Sequence, residues 1–393
     1  MINDKEIIFQ IKDKKHNLHH RTSFNCSDPV VQVYDPHTGA VREFLNFGSN
    51  DYLNLTKNPA AIQAATQAAM KYGVGAGGSP VLSGQFDVHT ELSRALAQYL
   101  GCEAAILYTS GFGMNYGALS GLLRENDVAI LDKYVHASIV DGCKHTNVRY
   151  FRHNDVNMLE SILKRCKDKF VNKLVIVDGV YSMDGDLAPL DEITEIAHKY
   201  GALVVTDEAH ATGVIGSMGR GTPSHFNIVD KVDIVTGTFS KSFGGVGGFV
   251  AGSQKLINYL SGASRSYMFS TAMSPMIAAA MLENVKTIST DDSIRLKLWD
   301  NINRFKDGLL NLGLNIGEAQ TAILPVIVGD DTLVKSMALE LHRAGIFSNF
   351  VAYPAVARDM SRLRFTVTAG QTFEQLDKAL SVIGEISKSH GLI

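Results

Sequence analysis

The sequence has few cysteines, almost no charge imbalance and no long hydrophobic run, and each of these scarcities argues against a class of protein. Its four cysteines, Cys26, Cys102, Cys143 and Cys166, lack CxxC or zinc-ligand spacing, so they predict reduced thiols and no metal site. A net charge of -3 provides no basic surface for nucleic acid. No segment approaches the ~20 apolar residues of a membrane span, and the N-terminal residues lack the pattern of a signal peptide. We therefore expect a soluble cytoplasmic protein with no membrane span and no nucleic-acid partner.

Glycine is plentiful, at 35 residues, and short apolar runs alternate with helical patterns through the middle of the chain. The runs typical of buried strands are residues 104–110, 127–132, 173–180, 202–210, 232–240 and 247–252. Because such alternation is typical of a parallel sheet covered by helices on both faces, we predict an α/β fold. We divide the chain into an N-terminal arm (1–45) with a hairpin turn at residues 35–39, a large domain (46–285) and a smaller C-terminal α+β domain (286–393).

Three predicted strand ends carry groups that suit one particular cofactor. Asp207 ends the run ALVVTDEAH, Lys241 follows VDIVTGTF, and Ser110, Gly111 and Phe112 follow AAILYTS and open a helix. Open α/β sheets bind ligands at the carboxyl ends of their strands. Pyridoxal phosphate requires a lysine for a Schiff base, a carboxylate beside its pyridine nitrogen, and free N–H groups at a helix N-terminus for its phosphate. We therefore predict a pyridoxal 5'-phosphate site built on Lys241 and Asp207.

The segments DEAHATGVIGSMGRGT and GTFSKSFGGVGGFVAG resemble the α-oxoamine synthases, a family of fold-type I PLP-dependent transferases. The resemblance extends from residue 46 to residue 372. It implies a mostly parallel sheet of the seven-stranded type in the large domain, and a homodimer with shared active sites. It also implies a decarboxylative condensation of a small α-amino acid (alanine, serine or glycine) with an acyl-CoA, as in 8-amino-7-oxononanoate synthase and serine palmitoyltransferase. The products would be an α-amino ketone, CoA and carbon dioxide.

The resemblance also implies roles for individual residues. The catalytic residues would be Lys241, Asp207, His136, which stacks on the cofactor ring, and His210, which bonds the ring's 3′ oxygen. Further cofactor ligands would be Ser110, Gly111, Phe112, Asn115, Asp178, Ser182, Thr238 and Ser240, with Ser270 and Thr271 reaching the phosphate of the other subunit. On the substrate side, Arg364 would grip the amino-acid carboxylate, and Asn50 and Tyr52 would lie nearby, whereas Arg362 is expected to be solvated.

The substrate is left open by departures from the family pattern. The segment GVGAGG at residues 73–78 satisfies GxGxxG but follows a helix, so we interpret it as a loop near the acyl-CoA entrance and not as a dinucleotide site. Pro80 stands where some members have an arginine, and Gln371 stands where a histidine is frequent. GTFSKSFG resembles serine palmitoyltransferase, whereas DEAHATGVIG resembles oxononanoate synthase. The alternatives are transamination, 2-amino-3-ketobutyrate CoA ligase activity, and a non-catalytic partner subunit, which Lys241 argues against.

Overall fold

The computed structural model describes Leu18 and residues 21–35 and 37–393. Contacts divide these residues into two units, which we call the large and the small unit. The large unit contains Asn50–Asp300 and Glu318–Ala322. The small unit contains the described residues up to Ser49, together with Asn301–Gly317 and Ile323–Ile393. The domain boundaries proposed from the sequence, after residues 45 and 285, stay a prediction.

A mixed seven-stranded sheet organises the large unit, in the order β3-β9-β8-β7-β6-β4-β5. Its strands are β3 (Ala104–Tyr108), β4 (Val128–Asp132), β5 (Asn147–Phe151), β6 (Lys173–Asp178), β7 (Leu203–Asp207), β8 (Ile234–Thr238) and β9 (Gly248–Gly252). The strands are parallel except β9, which pairs antiparallel with both β3 and β8. The predicted α/β fold with a mostly parallel sheet is confirmed.

The helices fall between the strands, as the apolar patterns predict. They are α1 (Pro59–Tyr72), α2 (Asp87–Leu100), α3 (Gly111–Leu122), α4 (Ala137–Gly142), α5 (Val156–Cys166), α6 (Leu190–Lys199), α7 (Thr222–His225), α8 (Gln254–Ala263), α9 (Arg265–Met268), α10 (Pro275–Thr290) and α11 (Ser293–Asn311). Helix α2 ends at Gly101, whose φ of 75° suits a residue without a Cβ atom. Among the described residues, no helix is both long enough and apolar enough to cross a membrane.

The core of the large unit consists of two apolar layers on opposite faces of the sheet. Along β4, Val128 and Ile130 pack in one layer and Ala129 and Leu131 in the other, because side chains alternate along a strand. One layer includes residues of α5 and α6, and the other includes residues of α3, α4 and α8. All four β4 residues are fully buried, which explains why this strand has a continuous apolar run.

The small unit has two three-stranded sheets. One sheet has the order β1-β2-β11 and the other the order β10-β13-β12. Its elements are β1 (Val30–Asp35), β2 (Ala40–Asn46), β10 (Ile323–Ile327), α12 (Asp331–Arg343), β11 (Ile346–Phe347), β12 (Asn349–Val351), β13 (Arg362–Thr366) and α13 (Phe373–Ser389). The predicted hairpin is present as antiparallel β1 and β2, although Pro36 in its turn lies outside the described residues. Because Ile346 of β11 pairs with Leu45 of β2, N-terminal and C-terminal segments form one sheet.

Candidate active site

Three neighbouring parallel strands end at one edge of the sheet and deliver polar side chains to one place. Asp178 ends β6, Asp207 ends β7 and Thr238 ends β8. Asp178 pairs in register with Asp207, so the two carboxyl groups come from adjacent strand ends. A cavity of about 180 Å³ opens there, as expected for an α/β sheet whose strands share a direction.

The cavity brings together most of the residues proposed from the sequence. Ten of them line it: Gly111, Phe112, Asn115, His136, Asp178, Asp207, His210, Thr238, Ser240 and Lys241. Met114, Ser138, Val180 and Ala209 also line it and were missed. The signal for Ser138 was its place two residues after His136, where a small hydroxyl at a helix start can hydrogen-bond the imidazole.

Lys241 follows β8 in a turn held by several hydrogen bonds. The Gly244 N–H donates to the Lys241 carbonyl at 2.9 Å, and the Phe239 N–H donates to the Gly247 carbonyl at 3.0 Å. The Thr238 hydroxyl donates to the same Gly247 carbonyl at 2.7 Å. Phe239 is fully buried and anchors the turn in the core. The half-buried Lys241 is therefore presented to the cavity by a fixed backbone.

Two hydrogen bonds fix the Asp207 carboxylate in the cavity wall. Asn115 Nδ2 donates to Oδ2 at 2.6 Å, and the Ala209 N–H donates to Oδ1 at 2.9 Å. Asp178 beside it accepts from the His136 backbone N–H at 3.3 Å. Burial, reinforced by the Asp207 charge, raises the pKa of Asp178 well above its ordinary value. Ionisation of Asp178 is therefore less favourable than that of an ordinary aspartate.

Two histidines contribute their rings to the cavity, each oriented by a hydroxyl. His210 Nδ1 lies 2.5 Å from the hydroxyl of Tyr52, which is fully buried. His136 Nδ1 lies 2.7 Å from Ser138 Oγ. The His136 ring is open to the cavity, yet desolvation by the surrounding protein lowers its pKa, Lys241 lowers it further, and Asp207 opposes both. The two rings therefore have different environments within one cavity.

One end of the cavity is suited to an anion. Helix α3 begins at Gly111 after Ser110, whose hydroxyl accepts the Gly113 N–H at 3.0 Å. The hydroxyls of Thr238 and Ser240 lie 2.8 Å apart on the same cavity wall. A Cβ added at Gly111 would lie 3.1 Å from Thr238 Oγ1, so a side chain there would crowd this end. Free helix N–H groups and the Ser240 hydroxyl can donate to a phosphate here, and Thr238 would join them by turning its hydroxyl hydrogen away from the Gly247 carbonyl.

The remaining proposed residues lie outside the cavity lining. Ser110 caps α3, Ser182 is half-buried after Tyr181, and Ser270 and Thr271 follow α9 at the surface. Asn50 is half-buried, and its carbonyl accepts the Tyr52 N–H at 2.9 Å. Tyr52 approaches the cavity through His210.

Arg364 belongs to β13 of the small unit, where it is buried and donates from Nη1 to Thr366 Oγ1 at 3.1 Å. The expectation that Arg362 is solvated is wrong. Its side chain is 2% exposed, and its Nε donates to the Met360 carbonyl at 2.9 Å. Residues two apart in a strand point to the same face, so Arg362 and Arg364 share one buried face of β13.

Gln371, which replaces a frequent histidine, has a structural role in the small unit. Its Nε2 donates to the Asn46 carbonyl and its Oε1 accepts the Thr368 N–H, both at 2.9 Å. The side chain is 1% exposed. Its departure from the family pattern therefore reflects a local backbone connection and says little about the substrate.

Known proteins resemble this chain over nearly its whole length. The family profile described as aminotransferase class I and II matches residues 42–383. The 8-amino-7-oxononanoate synthase of Thermoanaerobacter pseudethanolicus is 42% identical over 354 residues, which cover 90% of each chain. The structure of Sphingomonas wittichii serine palmitoyltransferase superposes with a TM-score of 0.92 at 32% identity, covering 99% of this chain and 97% of that chain. A second serine palmitoyltransferase structure, with a PLP internal aldimine, superposes with a TM-score of 0.90 at 32% identity over 95% of this chain and 93% of that chain.

Proposed function

Because the chain belongs to the α-oxoamine synthase family of fold-type I pyridoxal-phosphate enzymes, we propose that it condenses alanine with a seven-carbon dicarboxylic acyl thioester. It is a PLP-dependent acyltransferase that joins a small α-amino acid to an acyl group with loss of carbon dioxide. The choice of substrates rests on the 42% identity to an 8-amino-7-oxononanoate synthase over 90% of the chain.

The proposed substrates follow from the carbon skeleton of 8-amino-7-oxononanoate, the product in the name of that relative. The product is a nine-carbon acid with an amine and a ketone on neighbouring carbons and a terminal methyl group. Alanine that has lost its carboxyl group supplies the methyl carbon and the carbon that bears the amine. The other seven carbons, from the ketone to the far carboxyl group, then come from the acyl substrate.

Pyridoxal phosphate fits the cavity residues. Lys241 would hold it covalently, Asp207 would bind the ring nitrogen, His210 the 3′ oxygen, and the Gly111 end of α3 with Thr238 and Ser240 the phosphate. A lysine, a carboxylate and a phosphate cradle in one cavity are the set that this cofactor requires. When bound, the cofactor withdraws electrons from the amino acid's Cα and so stabilises the carbanion that attacks the thioester.

The protein's own groups then handle binding and protons. The Lys241 amine would take the proton from Cα of the bound amino acid and would later return one to the product carbon. Asp207, fixed by Asn115 and Ala209, would present its carboxyl group to the cofactor's ring nitrogen in one orientation. Arg364 is the proposed ligand of the amino-acid carboxylate, because a guanidinium donates two parallel hydrogen bonds to it.

We also propose a homodimer, on the basis of an exposed apolar patch formed by Val74, Leu82 and Phe269. Their side chains are 78%, 85% and 74% exposed. The Ala272 N–H donates to the Gly78 carbonyl at 2.9 Å, so the loop that bears Val74 and Leu82 is hydrogen-bonded to the segment after Phe269. Exposed clusters of large apolar side chains mark interfaces. We propose that a second copy of the chain binds over this patch.

The dimer would place Ser270 and Thr271, which lie beside this patch, at the phosphate of the partner's cofactor. Phe269→Glu should convert the dimer to monomers, measured by light scattering during size-exclusion chromatography, because a buried carboxylate opposes association. Phe373→Glu on α13, at another exposed phenylalanine, is the matched control and should remain dimeric. Monomeric wild-type holoenzyme would refute this part of the proposal.

The substrate proposal is tested with a matrix of amino acids and acyl thioesters. Alanine, serine and glycine are each paired with pimeloyl and palmitoyl thioesters, on CoA and on an acyl carrier protein, and free thiol and carbon dioxide are measured. We expect both to be released fastest with alanine and a pimeloyl thioester, and mass spectrometry should identify 8-amino-7-oxononanoate. Lys241→Ala is the control for background thiolysis.

Serine palmitoyltransferase activity is the second candidate, favoured by the TM-score of 0.92 and by the GTFSKSFG segment. Faster thiol release from serine with palmitoyl-CoA would establish it in place of the first. Transfer of an amino group to a keto acid without release of carbon dioxide would instead indicate an aminotransferase.

For either synthase we propose a cytoplasmic location, where buried thiols such as Cys143 and Cys166 stay reduced.

A further inference from the structure

A buried serine connects two groups that face the cofactor cavity. Ser138 is fully buried at the start of α4, two residues after His136. Its Oγ lies 2.7 Å from His136 Nδ1 and 3.0 Å from Asn115 Nδ2. The same Asn115 nitrogen lies 2.6 Å from Asp207 Oδ2. A chain of hydrogen bonds therefore extends from the His136 imidazole through Ser138 and Asn115 to the Asp207 carboxylate.

Donor chemistry sets the direction of each bond in this chain. An amide nitrogen only donates, so Asn115 gives one hydrogen to Asp207 and the other to Ser138 Oγ. The reverse amide orientation would place two acceptor oxygens 2.6 Å apart, which excludes it. Ser138 Oγ is therefore an acceptor towards Asn115, and its own hydrogen is available to His136 Nδ1. The Ser138 backbone N–H donates to the same Nδ1 at 3.3 Å, a bond that requires Nδ1 to be an acceptor.

We propose that Ser138 is a positioning residue that keeps His136 neutral, with its proton on Nε2, and couples the orientation of the ring to Asp207. A protonated His136 would donate from Nδ1 to Ser138 Oγ, which already accepts from Asn115. The serine hydrogen would then lose its acceptor inside a fully buried site, and buried donors without partners are costly. The catalytic consequence rests on the proposed function, but the tautomer of His136 is a property of the protein alone.

Charged groups from three neighbouring elements act on the same imidazole. Asp178 at the end of β6 accepts the His136 backbone N–H, Asp207 ends β7, and Lys241 follows β8. Desolvation and Lys241 lower the pKa of His136, whereas Asp207 raises it. The hydrogen-bond chain acts with desolvation, because it offers Nδ1 a donor and not an acceptor. A neutral His136 imidazole adds no second cation beside Lys241, and it could stack on the electron-poor pyridine ring of the cofactor.

The test measures His136 directly in the full-length holoenzyme. Protein labelled with ¹⁵N-histidine is titrated by NMR, and His136→Gln identifies the His136 signals. In wild type we expect the shifts of an unprotonated Nδ1 and a protonated Nε2. In Ser138→Ala the backbone N–H still donates to Nδ1, so we expect the Nε2-protonated tautomer to stay the major one, with a larger share of the Nδ1-protonated tautomer than in wild type and a pKa above the wild-type value. Ser138→Thr keeps the hydroxyl and should restore the wild-type pattern.

A matched control separates this effect from the loss of any buried serine. Ser387 on α13 is also fully buried, and Ser387→Ala should leave the His136 signals unchanged. We further expect Ser138→Ala to lower kcat roughly fivefold with little change in the KM for the amino acid, as for the loss of one hydrogen bond. If Ser138→Ala does not fold, the measurement is made on Ser138→Thr and on Asn115→Ala, which removes the donor to Ser138.

Unchanged His136 tautomer and pKa in folded Ser138→Ala would overturn the proposal. So would a wild-type protein whose His136 carries its proton on Nδ1. Because the titration does not require turnover, its outcome is independent of the substrate assay. A protein that releases no thiol but shows the expected shifts would refute the proposed function and leave the role of Ser138 standing.

Discussion

His153 lies between two buried carboxylates and should make the stability of the large unit depend on pH. Its Nδ1 lies 3.1 Å from Asp132 Oδ1, and its Nε2 lies 2.8 Å from Asp186 Oδ2. Both ring nitrogens therefore face acceptors, an arrangement that the protonated imidazolium satisfies and the neutral ring does not. Burial lowers the pKa of His153, but the hydrogen bonds to Asp132 and Asp186 outweigh it and raise the pKa to about 9.

The size and sign of the effect follow from this pKa. A folded-state pKa of about 9 against the ordinary 6.5 corresponds to about 3 kcal/mol of stability. Because the folded-state pKa is the higher one, this stabilisation is fully present below pH 6.5. It is lost as the pH rises through 9, so most of it should disappear between pH 7 and pH 10.

The single tryptophan provides the assay. Trp299 belongs to the large unit, and its indole N–H donates to the Val214 carbonyl at 2.9 Å, so its fluorescence reports the unfolding of that unit. Urea unfolding at a series of pH values from 6 to 10 is compared for wild type and His153→Gln. We expect wild type to be more stable by about 3 kcal/mol at pH 7, and the difference to shrink by most of that amount by pH 10.

The difference between the two proteins is the relevant quantity, because tyrosines and lysines titrate near pH 10 in both. His198→Gln is the matched control, since His198 contacts a single carboxylate, Asp233, at 3.0 Å on the surface. It should change stability by less than about 1 kcal/mol at any pH. If wild type and His153→Gln lose stability in parallel from pH 7 to pH 10, His153 is not a cation in the folded protein and the reasoning fails.

Three further predictions concern the cavity. Lys241→Ala should lose the borohydride-reducible link to the cofactor and lower thiol release by at least roughly a thousandfold; retention of both would show that another amine holds the cofactor. Gly111→Ala should weaken cofactor binding, measured by dialysis and absorbance, because the new Cβ would lie 3.1 Å from Thr238 Oγ1. If the variant retains the cofactor as well as wild type does, the phosphate does not bind at that end of the cavity. Tyr52→Phe removes the hydroxyl at 2.5 Å from His210 Nδ1 and should shift the pH dependence of the cofactor absorbance; an unchanged titration would mean that Tyr52 does not act through His210.

The pattern of apolar runs identified six of the seven strands of the large sheet and missed the edge strand β5. Six runs correspond to β3, β4, β6, β7, β8 and β9, and strand β5 was missed. In β5 only Phe151 is fully buried, while Arg149 and Tyr150 face solvent, so the sequence NVRYF carries no continuous apolar signal. Strand β3 at the opposite edge buries its last three residues and was identified, whereas β5 buries only one residue, and its sequence is correspondingly less distinctive.

Polar clusters were harder to predict than strand ends. Lys241, Asp207 and Gly111 could be placed together because parallel strands end at one edge of the sheet. His153 and Asp186 are 33 residues apart, and nothing in either segment indicates that they share a hydrogen bond. Their contact depends on how two loops pack, which is a matter of tertiary structure.

The sequence by itself determined the fold class, the cofactor and the strand ends that carry Lys241 and Asp207, because periodicity and residue chemistry are local properties. Only the tertiary structure decided that Arg362 is buried, that Tyr52 bonds His210, and that Ser138 and Asn115 connect His136 to Asp207. These outcomes depend on distances between side chains that are remote in sequence. Hydrogen bonds act only within about 3 Å, so no pattern along the chain can specify them.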